Sequence, residues 1–544
     1  MFKSKARMVS RLKPLFVVCL LSIFVFNCAK KGTITGGIKD EIPPVVVKTS
    51  PPNFSTNFND EEIRIYFDEY IKLKDPQKYI IVSPPMDPKP KISPLGGASK
   101  YVKIEFVDTL LENTTYSINF GESIVDNNEG NPYSFYRYVF STGSYLDSLS
   151  IKGSVRDAIT KEVDPLVTVA LYAIDEKYTD SLVFKEVPRY ITSTSDSIAD
   201  FNLENLKEGT YKLIALKDKV ANYKFEPKQD KIGFYADTIS LPADTATVFD
   251  IPLFKEILDF KPSVPKQSSK NSFIFGYEGN ADSLQIELLS NTPENFETRI
   301  LADKEKDSVH YWFKPYFEAD SLLFEVSNKT YRDTIVARFK DQYKDSLQLS
   351  PLISGNLPFN KNFGITARIP FQKINTDSIR LMDQDSVQID FTTKLDTLTN
   401  ELEILFERTE ENSYQALLLP EAIEDFIGNK NDSIYFNFRT GKRTDYGTVF
   451  LTVEGVEEEA LLVQMITDKG DLIAEKTAVG KETLAFENLN PGLYDIRVIM
   501  DRNRNGQWDT GNFLNNLQPE AVFYYPEPTE VRANWELKQT FILE

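Results

Sequence analysis

Cysteine and histidine are almost absent from this chain. Only Cys19 and Cys28 occur among 544 residues, both within the first thirty, and His310 is the single histidine. The body therefore has no thiol for nucleophilic attack, disulfide formation or zinc binding. Triads and His-rich metal sites need imidazole as base or ligand, and one imidazole in an aromatic, strand-like run (309–313) reads as structural. No Gly-x-Ser-x-Gly, phosphate-cradling loop or dinucleotide fingerprint is present either, so no enzyme is expected. Positive charge is in deficit: 62 Lys and Arg face 81 Asp and Glu, a net charge of −19. Nucleic acid needs clustered cations and is excluded as a partner. The acidic surface also opposes lying flat on anionic lipid and serves solubility. Asp68-Glu69 and Glu457-Glu458-Glu459 read as solvated faces, and Trp312, Trp508 and Trp535 are too scattered to form a sugar-binding platform.

Long apolar runs are missing after the N-terminus. There, Lys3, Lys5, Arg7, Arg11 and Lys13 precede an apolar stretch at 15–26. Twelve residues are too few to span a bilayer as a helix but suit a signal peptide, expected over 1–27. The run ends at Val25-Phe26-Asn27-Cys28, which resembles a bacterial lipobox with Cys28 as the lipidated residue. It departs from that pattern at Asn27, where the family prefers a small residue; looser lipoboxes and the sequence that follows resemble Bacteroidota lipoproteins. The resemblance implies an outer-membrane anchor, on the periplasmic face or the cell surface. Residues 28–42, small and polar, read as a flexible tether of about 20 Å r.m.s..

What the chain does have is β pattern. Short alternating runs recur at 63–67, 102–106, 116–120, 284–288, 322–326 and 335–339, bounded by turn residues. This is the signature of antiparallel sandwiches. Asp-Ser/Thr-aliphatic triplets begin strand after strand, at Asp147, Asp180, Asp282, Asp320, Asp345, Asp377 and Asp432, with the Asp side chain expected to cap each turn. Residues 462–476 alone could pass for a helix, but an internal repeat argues for strands.

Two repeats organise the chain. Phe201-Asn-Leu-Glu-Asn-Leu…Gly209-Thr-Tyr211 returns as Leu484-Ala-Phe-Glu-Asn-Leu…Gly492-Leu-Tyr494, at a constant offset of 283 residues that carries on through Asp218, Asn222 and Glu226. More weakly, Asp126…Gly130-Asn131…Phe140-Ser-Thr-Gly143 returns as Asp425…Gly428-Asn429…Phe438-Arg-Thr-Gly441. The order predicted is an Ig-like sandwich (43–145), a second sandwich (148–255), a linker (256–272, polar from 260 on), a β domain of unnamed type (273–350), then an Ig-like (355–442) and a second-type sandwich (446–544). The fold class is all-β. Pro43-Pro44-Val45…Ser50-Pro51-Pro52 and the closing Phe-x-Thr-Gly resemble the bacterial Ig-like domains of surface-layer proteins; the second copy lacks the Pro-rich opening. The Leu-x-x-Gly-x-Tyr hairpin resembles the prealbumin-like sandwich of carboxypeptidase regulatory domains.

Three kinds of site are expected. Cys28 takes lipid. Asp501, Asn503, Asn505, Gln507 and Asp509, with Gly506 at the sixth position, have the spacing of a calcium loop, because a hard cation wants oxygen ligands on a sharply turned backbone. Position 12 is Asn512 and a strand precedes the loop, so the site would be weak; the upstream copy has Val220 at position 3 and is expected to bind nothing. No other cofactor is expected. The triplets also resemble the Bacteroidota O-glycosylation motif, with Ser148, Ser181, Ser197, Thr238, Ser283, Ser321, Thr334 and Ser378 as acceptors. The reading is a non-enzymatic spacer and interaction lipoprotein, held to the outer membrane by its lipid and partnered by subunits of an assembly, secretion or uptake complex. The alternative is a surface adhesin or glycan binder.

Overall fold

The computed structural model describes residues 40–303, 306–340 and 342–543. The signal segment, Cys28 and most of the tether lie outside the described residues. The described residues fall into two compact units, 40–81 with 86–145, and Val82–Pro85 with 146–543.

In the smaller unit, strand Glu62–Leu73 shows how the pattern folds: Ile63, Ile65, Phe67 and Ile71 are buried while Arg64 and Tyr66 face outward. It pairs with Val46–Ser50 on one side and Ser99–Glu105 on the other, and Thr115–Asn119 pairs with Arg137–Ser141. Phe140 of the closing motif sits at the centre of the core, 4.2 Å from Phe58 and stacked on Tyr116 at 5.3 Å.

The larger unit repeats this design at 355–442. Phe438 stacks on Phe363 at 4.1 Å and on Tyr414 at 5.6 Å. The polar corners match too. Tyr116 Oη accepts the N–H of Leu111 and Tyr414 Oη that of Thr409, both at 2.8 Å. Thr142 and Thr440 each send a hydroxyl to a carbonyl, of Leu111 and Thr409. The recurring Phe-x-Thr-Gly therefore marks one strand that closes an aromatic core and ties its corner.

Residues 148–255 and 446–544 share a topology. In the first, Leu149–Asp157 lies between antiparallel Asp200–Leu206 and parallel Val248–Leu253; in the second, Gly447–Glu454 lies between Glu482–Leu489 and Glu536–Ile542 in the same senses. The facing sheets centre on Gly209–Lys217 and Gly492–Met500. The hairpin tyrosines behave alike: Tyr211 Oη donates to the Lys207 carbonyl at 2.9 Å and Tyr494 Oη to that of Asn490 at 2.8 Å. The helix-like stretch 462–476 falls in the paired strands Ala460–Ile466 and Leu472–Val479, as the repeat argued.

Between these modules the structure departs from expectation. The segment 260–272 is no free linker: Lys261–Pro262 and Lys266–Ser269 both pair with Ser272–Glu278. Proline is tolerated on such an edge, and the Phe260 ring anchors the segment against Tyr277 and Tyr331 at 5.9 and 5.3 Å. Likewise Leu349–Pro351 pairs with Phe363–Ala367, so the sheet of the later Ig-like module starts ahead of residue 355. Trp312, Ile369 and Phe426 make a small separate cluster.

The triplets also need correction. Strands do open on them at Leu149–Asp157, Ser321–Asn328, Ile379–Met382 and Ile434–Arg439. Asp180-Ser181, however, starts a single 3-10 turn, Asp180–Phe184, and at Asp282 the capping acceptor is Asn280.

Candidate functional sites

The 501–509 segment leaves strand Gly492–Met500 and turns back sharply. Asp501 is buried; its Oδ1 accepts the N–H of Asn505 at 3.0 Å and its Oδ2 that of Gly506 at 2.8 Å. Gly506 adopts φ 74°, a left-handed geometry natural to glycine. Asp509 Oδ2 accepts the side-chain amides of Asn503 at 2.6 Å and Asn505 at 2.9 Å. Gln507 takes part through its backbone N–H, donated to Asn505 Oδ1.

A residue missed in the sequence completes the loop. Glu520, nearly fully buried, accepts the N–H of Arg502 on Oε1 at 2.7 Å and that of Asp509 on Oε2 at 3.1 Å, while Trp508 donates its indole N–H to the Glu520 carbonyl. Burial pushes the Glu520 carboxyl up, and the negative charges of Asp509 and Asp501 add to this, against the lowering effect of the two amides. The upstream loop is built alike. Asp218 accepts the N–H groups of Val220, Ala221 and Tyr223. Buried Asp230 takes the role of Glu520, accepting the N–H of Lys219 at 3.0 Å and Glu226 at 2.9 Å.

The donor set, carboxylate and amide oxygens on a tight turn, has the chemistry a hard cation wants. As arranged, those oxygens accept N–H groups, and among the described residues no three His, Cys, Asp or Glu side chains are grouped to hold a metal ion.

His310 lies in strand Ser308–Lys314 with Nε2 3.6 Å from Asp303, and its imidazole pKa is pulled down by burial first and by Arg368 second. Of the glycosylation candidates, Ser148, Ser197, Thr238, Ser283, Ser321 and Thr334 are exposed. Ser181 and Ser378 are half-buried and engaged, with Thr179 and Asn375 respectively. Cys28 lies outside the described residues. On the outward face of the smaller unit, Tyr66 and Tyr101 pair across strands at 5.6 Å, with Lys48 4.7 Å over Tyr66 and Arg64 5.7 Å over Tyr101.

The protein is an all-β chain of tandem antiparallel sandwiches. Residues 40–142 match the family model of the bacterial Ig-like domain. No curated protein matches the chain. Among solved structures, the S-layer protein SbsC is 11% identical over 90% of this chain and 67% of its own, with a TM-score of 0.14. The eight N-terminal Ig domains of Down Syndrome Cell Adhesion Molecule are 10% identical over 90% and 69%, at 0.15. A tandem of titin Ig domains is 10% identical over 52% of this chain and 100% of its own, at 0.12. Scores this low carry no argument; the fold class rests on the sheets themselves and on the Ig-like match. That architecture suits interaction or adhesion, and no enzyme family matches.

Proposed function

We propose that this chain is a non-enzymatic, lipid-anchored spacer and interaction subunit of an outer-membrane protein complex in assembly, secretion or uptake. The observation that carries this reading is a sandwich edge strand that presents apolar side chains. On Leu472–Val479, which pairs only with Ala460–Ile466 among the described residues, Leu472 and Val479 are more than half exposed. Such an edge offers unpaired N–H and C=O groups to an extended segment of another protein. Co-purification from detergent-solubilised outer membranes should yield stoichiometric membrane proteins. A bare monomer that retains polysaccharide would overturn this in favour of the adhesin or glycan binder, a reading supported by the Tyr66–Tyr101 pair and its flanking cations.

Two subsidiary proposals concern sites. The 501–520 loop takes calcium weakly: the buried Glu520 carboxyl is pushed up by burial and by the charges of Asp509 and Asp501, and a divalent cation would relieve that repulsion. Affinity should fall at roughly 10⁻⁴ to 10⁻³ M, the range of extracellular modules. At ten times the dissociation constant the linkage relation gives about 1.4 kcal/mol of stabilisation. Millimolar calcium is therefore expected to slow hydrogen exchange across Gly492–Met500 in the full chain, with a change in Trp508 fluorescence, and Asp501→Ala should abolish both. Equal exchange in calcium and in chelator would reduce the loop to a hairpin tip stapled by its own side chains.

The second is O-glycosylation at the triplets. Intact-mass and peptide mass spectrometry of the native protein should find glycans on Ser148, Ser197, Thr238, Ser283, Ser321 or Thr334 ahead of Ser181 and Ser378. An unmodified mass would leave the triplets as turn chemistry alone.

A further inference from the structure

The twin loops differ in length between their last two carboxylates. From Asp218 to Glu226 and from Asp501 to Asp509 the spacing is identical, and Asp230 and Glu520 accept the same two backbone amides. Three residues separate Glu226 from Asp230, but ten separate Asp509 from Glu520. The later copy thus carries seven extra residues at a point where the hydrogen-bonded frame needs none.

Those residues lie against the earlier copy. Asn512 and Leu517 exchange backbone hydrogen bonds at 2.8 and 2.9 Å, closing a compact loop. Phe513 at its tip is only 2% exposed, with its ring edge-on to Phe234 at 5.2 Å. The Phe513 N–H donates to Glu256 Oε1 at 2.6 Å, Thr510 Oγ1 donates to the Lys255 carbonyl at 2.8 Å, and Gln518 Nε2 donates to the Phe234 carbonyl at 3.0 Å. Gly511 is needed for the fit: a Cβ there would stand 2.5 Å from the Phe254 ring and 2.6 Å from the Leu517 carbonyl. Beside this contact lies a polar one. Lys161 pairs with Asp495 at 2.8 Å, and the Ile159 carbonyl accepts from Tyr524 Oη at 2.6 Å and Arg497 Nη1 at 3.3 Å.

We infer that residues 510–518 are a docking finger, and that Phe234, Phe254 and Glu256 form the socket that receives it, so that the two prealbumin-like modules clasp each other within one chain. A phenylalanine at the tip of a solvent-facing loop gains nothing in an isolated module; seated in the socket, its apolar surface is removed from water. The modules are separated by about 190 residues of sequence, so adjacency along the chain does not account for the contact. The clasp ties the ends of 256–445 together and makes that stretch a closed loop.

The test uses the full chain. Phe513→Asp should speed hydrogen exchange at 231–234 and 254–256 by roughly tenfold or more and enlarge the radius of gyration in solution scattering, while Ala460–Ile466 keeps its protection. Lys161→Glu, a rim change that leaves both module cores intact, should shift the same readouts in the same direction. Adding Asp495→Lys should restore them by reversing the pair. Unchanged exchange and dimensions in Phe513→Asp, or a Lys161→Glu effect that the reversed pair does not rescue, would overturn the clasp.

Discussion

Replacing Cys28 by alanine is expected to move the protein from the membrane pellet to the soluble exported fraction. The proposed anchor is the lipid on that cysteine, and each acyl CH₂ placed in the bilayer contributes about 0.8 kcal/mol. Little else in the chain would substitute for it. A net charge of −19 is repelled by anionic headgroups. Among the described residues no helix is long and apolar enough to cross a membrane. Fractionation in high salt separates the outcomes, because salt strips electrostatic attachment and leaves lipid insertion. A Cys28→Ala protein that still pellets in high salt would mean that Cys28 is not the anchor or that a protein partner holds the chain there. Detergent extraction of that pellet, followed by sizing, tells the two apart.

Strand existence was legible in the sequence because alternation reports burial directly: Ile63, Ile65 and Phe67 are buried at the spacing that predicts it. The duplicated hairpin was legible because Gly209-Thr-Tyr211 and Gly492-Leu-Tyr494 must each place a tyrosine hydroxyl on a carbonyl four residues back. The linker was misread because composition does not register edge pairing: Pro262 and Ser269 look like coil until Ser272–Glu278 supplies their partner. Glu520 was missed for a different reason. The fixed offset of 283 residues ends at Asp509, and the seven-residue insertion moves the last carboxylate out of register with Asp230. Phe513 carries no signal of its own in the sequence, because its contacts lie on a module that ends about 190 residues before the next of its kind begins.

The strongest destabilisation expected of a single side chain is at the closing phenylalanine of an Ig-like core. Phe438 is nearly fully buried, stacks on Phe363 at 4.1 Å with an 11° tilt and touches the tilted ring of Phe406 at 6.1 Å. Its strand, Ile434–Arg439, also carries the register into Thr440, whose hydroxyl ties the corner. Phe438→Ala removes a buried ring and leaves a cavity, a change that costs roughly 3–5 kcal/mol. Phe438→Leu keeps most of the volume and should cost roughly 1.5 kcal/mol or less. Several modules share one chain, so a single melting curve would mix their transitions. Hydrogen exchange resolves them. Phe438→Ala should speed exchange in Phe363–Ala367 and Ser413–Leu418 by roughly 100-fold or more, since about 1.4 kcal/mol is a factor of ten, and should leave Thr115–Asn119 protected. Phe140→Ala should do the reverse, exposing Thr115–Asn119 and sparing Ser413–Leu418. If Phe438→Ala leaves its own module's exchange unchanged, the Phe-x-Thr-Gly close is a surface motif and the repeated core built on it is wrong.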